Sequence, residues 1–127
     1  MKLARIYTGG DHRSHFEDLD LPTHVAADSS RGVTDALAAT GAALGESGET
    51  APRDFHNAPR RQIVAVLSGG LELECGDGSR RRFGPGEAFF ADDLTGEGHK
   101  TRDVGGPVRL LYVYIRDDFD PAPWRPR

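Results

Sequence analysis

The chain has 127 residues and a net charge of −4, with acidic and basic side chains mixed along its length. This length predicts one domain, and the charge disfavours nucleic acid as a partner, because phosphate binding needs a basic face. Cys75 is the only cysteine, which excludes an intramolecular disulfide and favours a reducing cytoplasm. We expect neither a secretion signal nor a membrane partner, since no apolar stretch has the required length.

Short apolar runs separated by glycine and proline predict an all-β fold. LARIY predicts a first strand over Leu3–Tyr7, and SHFEDLDL predicts a second strand that ends at Pro22. Residues 26–54 are rich in Ala, Gly, Ser and Thr and have no aromatic residue. Within them VTDALAATGAALG has a helix-forming composition with a weak apolar spacing. A short helix, a small-residue strand and a mobile segment therefore remain open for this stretch.

The signal for β-structure is strongest after Pro59. The predicted strands there are QIVAVL (Gln62–Leu67), LELEC, RRRF, AFFADD, HKTRDV and VRLLYVYIR (Val108–Arg116). SGG, GDGS, GPGE, TGEG and GGP separate them, and an Asp-Gly pair such as the one in GDGS is typical of a tight hairpin turn. Frequent turns between short strands predict a β-sandwich or a barrel. Residues 117–127 form a proline-rich tail for which no regular structure is expected.

The segment VLSGGLELECGDGSRRRFGPGEAFF resembles the centre of small single-domain cupins. Gly69 matches the glycine that closes the first cupin motif, and Gly84, Pro85 and Gly86 match the start of the second motif. The resemblance covers roughly residues 55–115 of a single domain spanning residues 1–127. It implies a double-stranded β-helix, which is a jelly-roll barrel with a pocket inside, and a homodimer that pairs or exchanges edge strands.

The resemblance also implies a divalent metal site. His56 falls on the first histidine of the first motif, Gln62 on its acidic position, and Ala58 on its second histidine. His99 corresponds to the histidine of the second motif, at a longer spacing than usual. The implied ligands are therefore His56, Gln62 and His99, around Zn, Fe, Mn or Ni. The alternative is a metal-free barrel in which His56 and Gln62 form hydrogen bonds within the pocket.

His99 and Arg60 are the candidate catalytic residues. Asp92 or Asp93 could orient His99 through its second ring nitrogen, and a His99–aspartate pair could act as a general acid and base without a metal. Arg60 shares a face with Gln62 if that segment is extended. It would then suit a carboxylate or phenolate ligand, whereas at a bend it would pair with surface acids.

Four side chains are candidates for substrate binding: Phe90, Thr101, Tyr112 and Tyr114. The two tyrosines share one face of the last predicted strand, and Thr101 shares a face with His99. Together with Phe90, the tyrosines would line a mostly apolar pocket for a small molecule. Tyrosines are equally common on half-buried sheet faces, so a purely structural role is the alternative.

Three functions fit these features. The first is an enzyme in which the metal assists isomerisation, cyclisation, lyase action or oxygenation of a small organic substrate. The second is a metal-free small-molecule binding protein or cyclase that uses the apolar pocket. The third is a non-catalytic regulatory module that acts through its dimer surface. The alanine at position 58 is the main argument against metal chemistry.

Overall fold

A computed structural model describes residues 1–27, 30–47 and 53–127 of the chain. Regular structure in these ranges consists of β-strands and one short 3-10 helix, which confirms the predicted all-β fold. The strands are β1 (Lys2–Thr8), β2 (Ser14–Asp20), β3 (His24–Val25), β4 (Gly32–Val33), β5 (Ala39–Glu46), β6 (Arg53–His56), β7 (Gln62–Cys75), β8 (Arg80–Phe83), β9 (Ala88–Asp92) and β10 (His99–Ile115), and the 3-10 helix is Ala122–Trp124.

One large sheet follows the order β2-β1-β9-β7-β10-β5, with β6 paired to β10 and β8 paired to β7. Strands β1 and β9 are parallel, and the other pairs in this sheet are antiparallel. Strands β3 and β4 form a separate two-stranded sheet. The long strands β7 and β10 each pair with several strands, and this all-β arrangement agrees with the predicted jelly roll.

In two places, a pair of neighbouring predicted strands forms one continuous strand in the structure. QIVAVL and LELEC form the single strand β7, although Gly69 inside it has a φ of +67°. A Cβ at Gly69 would lie 2.5 Å from the Pro107 carbonyl oxygen, so this bend requires glycine. HKTRDV and VRLLYVYIR likewise form β10, which shifts register between Val104 and Arg109. The glycines therefore bend these strands, whereas the sequence predicted that they end them.

The ambiguous segment over residues 26–54 contains strand β5, whose residues are mostly small and exposed. This outcome corresponds to the small-residue strand among the alternatives. Strand β5 pairs with β10 from Ala39 to Glu46. Two parts of the segment, residues 28–29 and 48–52, lie outside the described residues.

Two apolar clusters lie on opposite faces of the sheet. The inner cluster contains Val64, Val66 and Phe89. The outer cluster contains Phe90 and Ile115, and the C-terminal tail packs Phe119 and Trp124 against it. Because successive residues of a strand face opposite sides, neighbouring side chains such as Phe89 and Phe90 belong to different clusters.

The C-terminal tail is anchored by Arg61. Its guanidinium donates hydrogen bonds to the carbonyl oxygens of Arg116, Asp117 and Phe119 at 2.8–3.2 Å. The same group forms a bidentate pair with Asp92, at 2.7 and 3.2 Å.

Within the described ranges, no helix has the length and apolar character needed to cross a membrane.

Candidate functional site

The structure brings His56 and His99 together. Strand β6 pairs with the start of β10 so that the two histidines lie opposite each other. Their ring centroids are 4.7 Å apart, and the ring planes are inclined by 52°. Gly98 permits this approach, since it has a φ of +77° and any Cβ there would overlap the His56 carbonyl oxygen.

Both histidines line a cavity of about 180 Å³ inside the barrel, which we call the histidine cavity. Its remaining walls come from β7, β9 and β10. The described side chains that line it with the two histidines are Val64, Leu71, Phe89, Thr101, Asp103, Leu110 and Tyr112. The lining therefore combines four apolar side chains with five that carry polar groups, so it offers both contact surface and hydrogen-bonding groups to a small molecule.

A buried carboxylate orients His99. The Nδ1 atom of His99 lies 2.5 Å from Oδ2 of Asp93, and the two side chains are 5% and 0% exposed. An ionised carboxylate can only accept a hydrogen bond, so Nδ1 donates and Nε2 of the neutral ring carries the lone pair. Asp93 thus occupies the orienting position considered for Asp92 or Asp93, while Asp92 binds Arg5 and Arg61 instead.

The backbone around Asp93 is held in place by Asn57. The Asn57 amide donates to the carbonyl oxygens of Thr95 at 2.9 Å and Gly96 at 3.0 Å, and it lies 3.4 Å from that of Asp93. The Ala58 amide also donates to the Asp93 carbonyl, at 3.2 Å. The segment after β6 therefore fixes the loop that carries the carboxylate. Nothing in the sequence distinguished Asn57 for this role.

His56 is held in the same tautomer as His99. Its Nδ1 atom lies 2.8 Å from the backbone carbonyl oxygen of Asp54. A carbonyl oxygen only accepts, so Nδ1 is the donor and Nε2 of the neutral ring is unprotonated. In His99, the bond from Nδ1 to the carboxylate leaves Nε2 as the nitrogen for chemistry.

Of the three predicted metal ligands, the structure brings together the two histidines and leaves Gln62 apart from them. Gln62 lies at the start of β7, opposite Ala91 and Tyr114, and does not line the histidine cavity. Residues 57–61 do not continue β6 as a strand, so the alternation that would place positions 56 and 62 on one face is lost. Within the described ranges, no group of three His, Cys, Asp or Glu side chains is arranged to hold a metal ion.

The predicted substrate-binding residues divide into two pairs. Thr101 and Tyr112 line the histidine cavity. Phe90 does not, because it lies in the outer cluster with 1% of its surface exposed, and Phe89 takes the place expected for it. Tyr114 lies in a different cavity, of about 490 Å³, at which the tail and β10 meet.

Arg60 also lies away from His99. It lines the same cavity as Tyr114, with its guanidinium carbon 4.3 Å from the centroid of the tyrosine ring. The chain bends between β6 and β7, so Arg60 does not share an inward face with His56. The structure therefore does not place Arg60 beside His99 as a second catalytic group.

Asp103 is a wall residue that the sequence prediction did not include. It lies on β10 four positions after His99, and residues 99, 101 and 103 share the face that lines the cavity. The same alternation that identified Thr101 would have identified Asp103. Asp103 is also the only described acidic side chain that lines the histidine cavity.

Cys75 lies opposite His99 on β7 but does not line the cavity. It is fully buried, and burial raises the pKa of its thiol to about 12. A thiol with this pKa stays protonated at neutral pH and is a poor nucleophile. Cys75 is therefore a core residue.

No protein-family model and no curated protein matches the chain. A lyase structure, DMSP lyase DddQ from Ruegeria pomeroyi, is similar with 22% identity and a TM-score of 0.50, over 80% of this chain and 49% of the lyase chain. A conserved Streptococcus pyogenes protein of unknown function shares 19% identity, with a TM-score of 0.48 over 62% and 66% of the two chains. The cupin domain of Schizosaccharomyces pombe Cnp3 shares 14% identity, with a TM-score of 0.46 over 82% and 73%.

The chain spans about half the length of the lyase and about two thirds of the streptococcal protein. Likeness at these identities concerns the fold alone. The chain has a cupin-type fold, which is the fold that the resemblance of its sequence implied.

Proposed function

We propose that the chain is a small-molecule enzyme in which His99 transfers protons at the wall of the histidine cavity. The observation that carries this proposal is the buried 2.5 Å hydrogen bond between Asp93 and His99. It supports a reactive Nε2 at the cavity, since the tautomer is set by the partner of the other ring nitrogen. General bases of this kind typically accelerate proton transfer by about 10²- to 10⁴-fold.

The proposed reaction begins when Nε2 of His99 accepts a proton from the substrate. The carboxylate of Asp93 compensates the positive charge that forms on the ring, and this compensation is strong because the pair is shielded from water. The imidazolium then returns the proton to another atom of the substrate. Proton transfer of this kind serves isomerisation, cyclisation and elimination. His56 lies beside this ring in the same tautomer and is the second candidate proton carrier.

The cavity size limits the substrate. A volume of about 180 Å³ equals that of roughly six water molecules, at about 30 Å³ each in the liquid. Val64, Leu71, Phe89 and Leu110 supply apolar contact surface. A small organic molecule with a short hydrocarbon part fits these walls.

Hydrogen–deuterium exchange tests the proposal. Ketones and aldehydes of about three to six carbons are incubated with the protein in D2O, and exchange at the carbon next to the carbonyl is followed by proton NMR. We expect catalysed exchange that falls at least about 100-fold in His99→Gln. His24→Gln is the matched control, because His24 is exposed and pairs with Asp35 away from the cavity. Equal rates in the wild type and His99→Gln would contradict the proposal, as would wild-type rates no faster than buffer for every compound.

A divalent metal held by His56 and His99 is a second candidate. The observation that favours it is the oxygen acceptor on each Nδ1 atom, since metal-bound imidazoles are usually held in this way. The described residues contribute two imidazoles, fewer than the three protein ligands of a typical catalytic zinc site. A metal there would polarise a substrate oxygen. Metal content measured by mass spectrometry on tag-free protein tests this candidate. Near-stoichiometric metal that disappears in His99→Ala would support it, whereas equal content in both proteins would contradict it.

A further inference from the structure

A second cavity adjoins the histidine cavity. It has a volume of about 240 Å³ and lies beside the end of β5, so we call it the β5 cavity. The two cavities share Asp103, Leu110 and Tyr112 in their linings. Asp103 therefore stands at their junction, where a ligand that enters either cavity meets its carboxylate.

The Asp103 carboxylate has no protein partner within the described ranges. Asp103 is half-buried, and no hydrogen bond, ion pair or other electrostatic contact involves its side chain there. A partly desolvated carboxylate is unfavourable unless a donor or a cation approaches it. A positively charged ligand group would satisfy this requirement.

The nearby basic side chains of β10 are engaged elsewhere. Lys100 and Arg102 alternate with the inward residues and face outward, where Arg102 binds Glu72 at 2.9 Å. Arg109 binds Glu46 at 3.3 Å, which also neutralises the other acidic residue of the β5 cavity. Among the described residues, neither cavity is lined by a lysine or an arginine.

Tyr112 adds an aromatic surface at the same junction. Its ring lies over Gly45, close enough that a Cβ there would be 2.7 Å from Cε2. The ring lines both cavities together with Asp103. A carboxylate next to an aromatic ring is a suitable environment for an ammonium group, because both attract positive charge.

We infer from this arrangement that the site selects small ligands that carry a protonated amine, with Asp103 as the counter-ion. The inference rests on the proposed function, since it takes the histidine cavity as the substrate site. The Cα atoms of His99 and Asp103 are separated by about 13 Å, at about 3.3 Å per residue along a strand. The ligand is therefore extended, with its amine at Asp103 and its reacting atom towards His99. Carboxylate ligands are disfavoured.

Three matched probes test this inference: pentylamine, 1-pentanol and pentanoate. Each is titrated into isotope-labelled protein, and NMR follows the His99 ring and the backbone amides of β10. We expect pentylamine to bind at least tenfold more tightly than 1-pentanol, and pentanoate to bind most weakly. Asp103→Asn should remove the advantage of the amine and leave the affinity for 1-pentanol within about twofold. Asp18→Asn removes the same charge at an exposed pair with Arg81 and should keep the wild-type preference.

The outcomes separate this inference from the proposed function. Binding of 1-pentanol and pentylamine near His99 with equal affinity would overturn the role of Asp103 and leave the cavity as a ligand site. A preference for the amine that survives in Asp103→Asn would also overturn it. If none of the three probes perturbed the His99 ring, both the inference and the proposed ligand site would be wrong.

Discussion

Gly45→Ala should disturb the candidate site through the Tyr112 ring, whereas Gly41→Ala should not. Both glycines lie on β5, where neither requires a positive φ. A Cβ at position 45 would lie 2.7 Å from Cε2 and 3.2 Å from the hydroxyl oxygen of Tyr112. A Cβ at position 41 would lie 3.5 Å from Tyr114, which is an ordinary contact.

The magnitude follows from the space that is missing. The 2.7 Å approach is about 0.7 Å shorter than the ordinary contact that begins at 3.4 Å, so the Tyr112 ring must move. Overpacking of this kind costs about 1–3 kcal/mol, whereas the loss of glycine flexibility in the unfolded chain stabilises both variants by about 0.4–1 kcal/mol. We therefore expect Gly45→Ala to be less stable than Gly41→Ala by about 2 kcal/mol.

Thermal unfolding followed by circular dichroism measures this difference. At about 2.1 cal/mol/K per residue, the 127 residues have an unfolding entropy of about 270 cal/mol/K. A difference of about 2 kcal/mol then corresponds to about 7 °C in Tm. Gly45→Ala should also weaken pentylamine binding, because Tyr112 lines both cavities. Equal Tm values for the two variants would refute the packing that we describe between β5 and Tyr112.

Three further predictions concern the rest of the fold. Arg61→Met should lower the free energy of unfolding in urea by about 3 kcal/mol, because three tail carbonyls lose their donor and Asp92 keeps only Arg5. Arg60→Met, which removes an exposed stacking contact, should cost less than about 1 kcal/mol, and equal costs would contradict this account. The pKa of His15 is raised, chiefly by its hydrogen bond with Asp11, so its contribution to stability is complete below about pH 6.5 and is lost as the pH rises through the higher folded-state value. The stability difference between wild type and His15→Gln should therefore shrink between about pH 5 and about pH 9, and a constant difference would contradict this reasoning. We also expect the homodimer that the family resemblance implies to involve β5, where Leu44 is 78% exposed on the edge strand. Leu44→Glu should then shift the sedimentation coefficient to that of a monomer, and identical coefficients would contradict this interface.

The sequence predicted the β-structure well because the relevant signals are local. Alternation of apolar and acidic residues marked the second half of β7, and the Asp-Gly turn marked the hairpin to β8. The predicted strand ends at Gly69 and near Gly105 were wrong for a physical reason. A glycine with a positive φ can bend a strand and leave its pairing intact on both sides.

The candidate site was predictable only in part. Alternation along β10 correctly grouped Thr101 with His99, and the same rule applied one step further gives Asp103. The grouping of Gln62 with His56 failed because it assumed an extended chain across Pro59, and the structure bends there.

Phe90 illustrates a different difficulty. AFFADD contains two adjacent phenylalanines, and alternation requires them to face opposite sides without stating which of them faces inward. The register of β9 between β1 and β7 decides this point. Such long-range pairing is not encoded in the local pattern, so the sequence alone did not separate Phe89 from Phe90.

The tautomer of His99 tests the central claim most directly. Long-range proton–nitrogen NMR correlations report which ring nitrogen carries the proton, in the wild type and in Asp93→Ala. We predict that the neutral His99 ring is protonated on Nδ1 in the wild type and loses this preference in Asp93→Ala. His56 serves as an internal control, since the Asp54 carbonyl should hold its tautomer in both proteins. Protonation of His99 on Nε2 in the wild type, or the same tautomer in both proteins, would contradict the role of Asp93 and the reactive Nε2 on which the proposed chemistry depends.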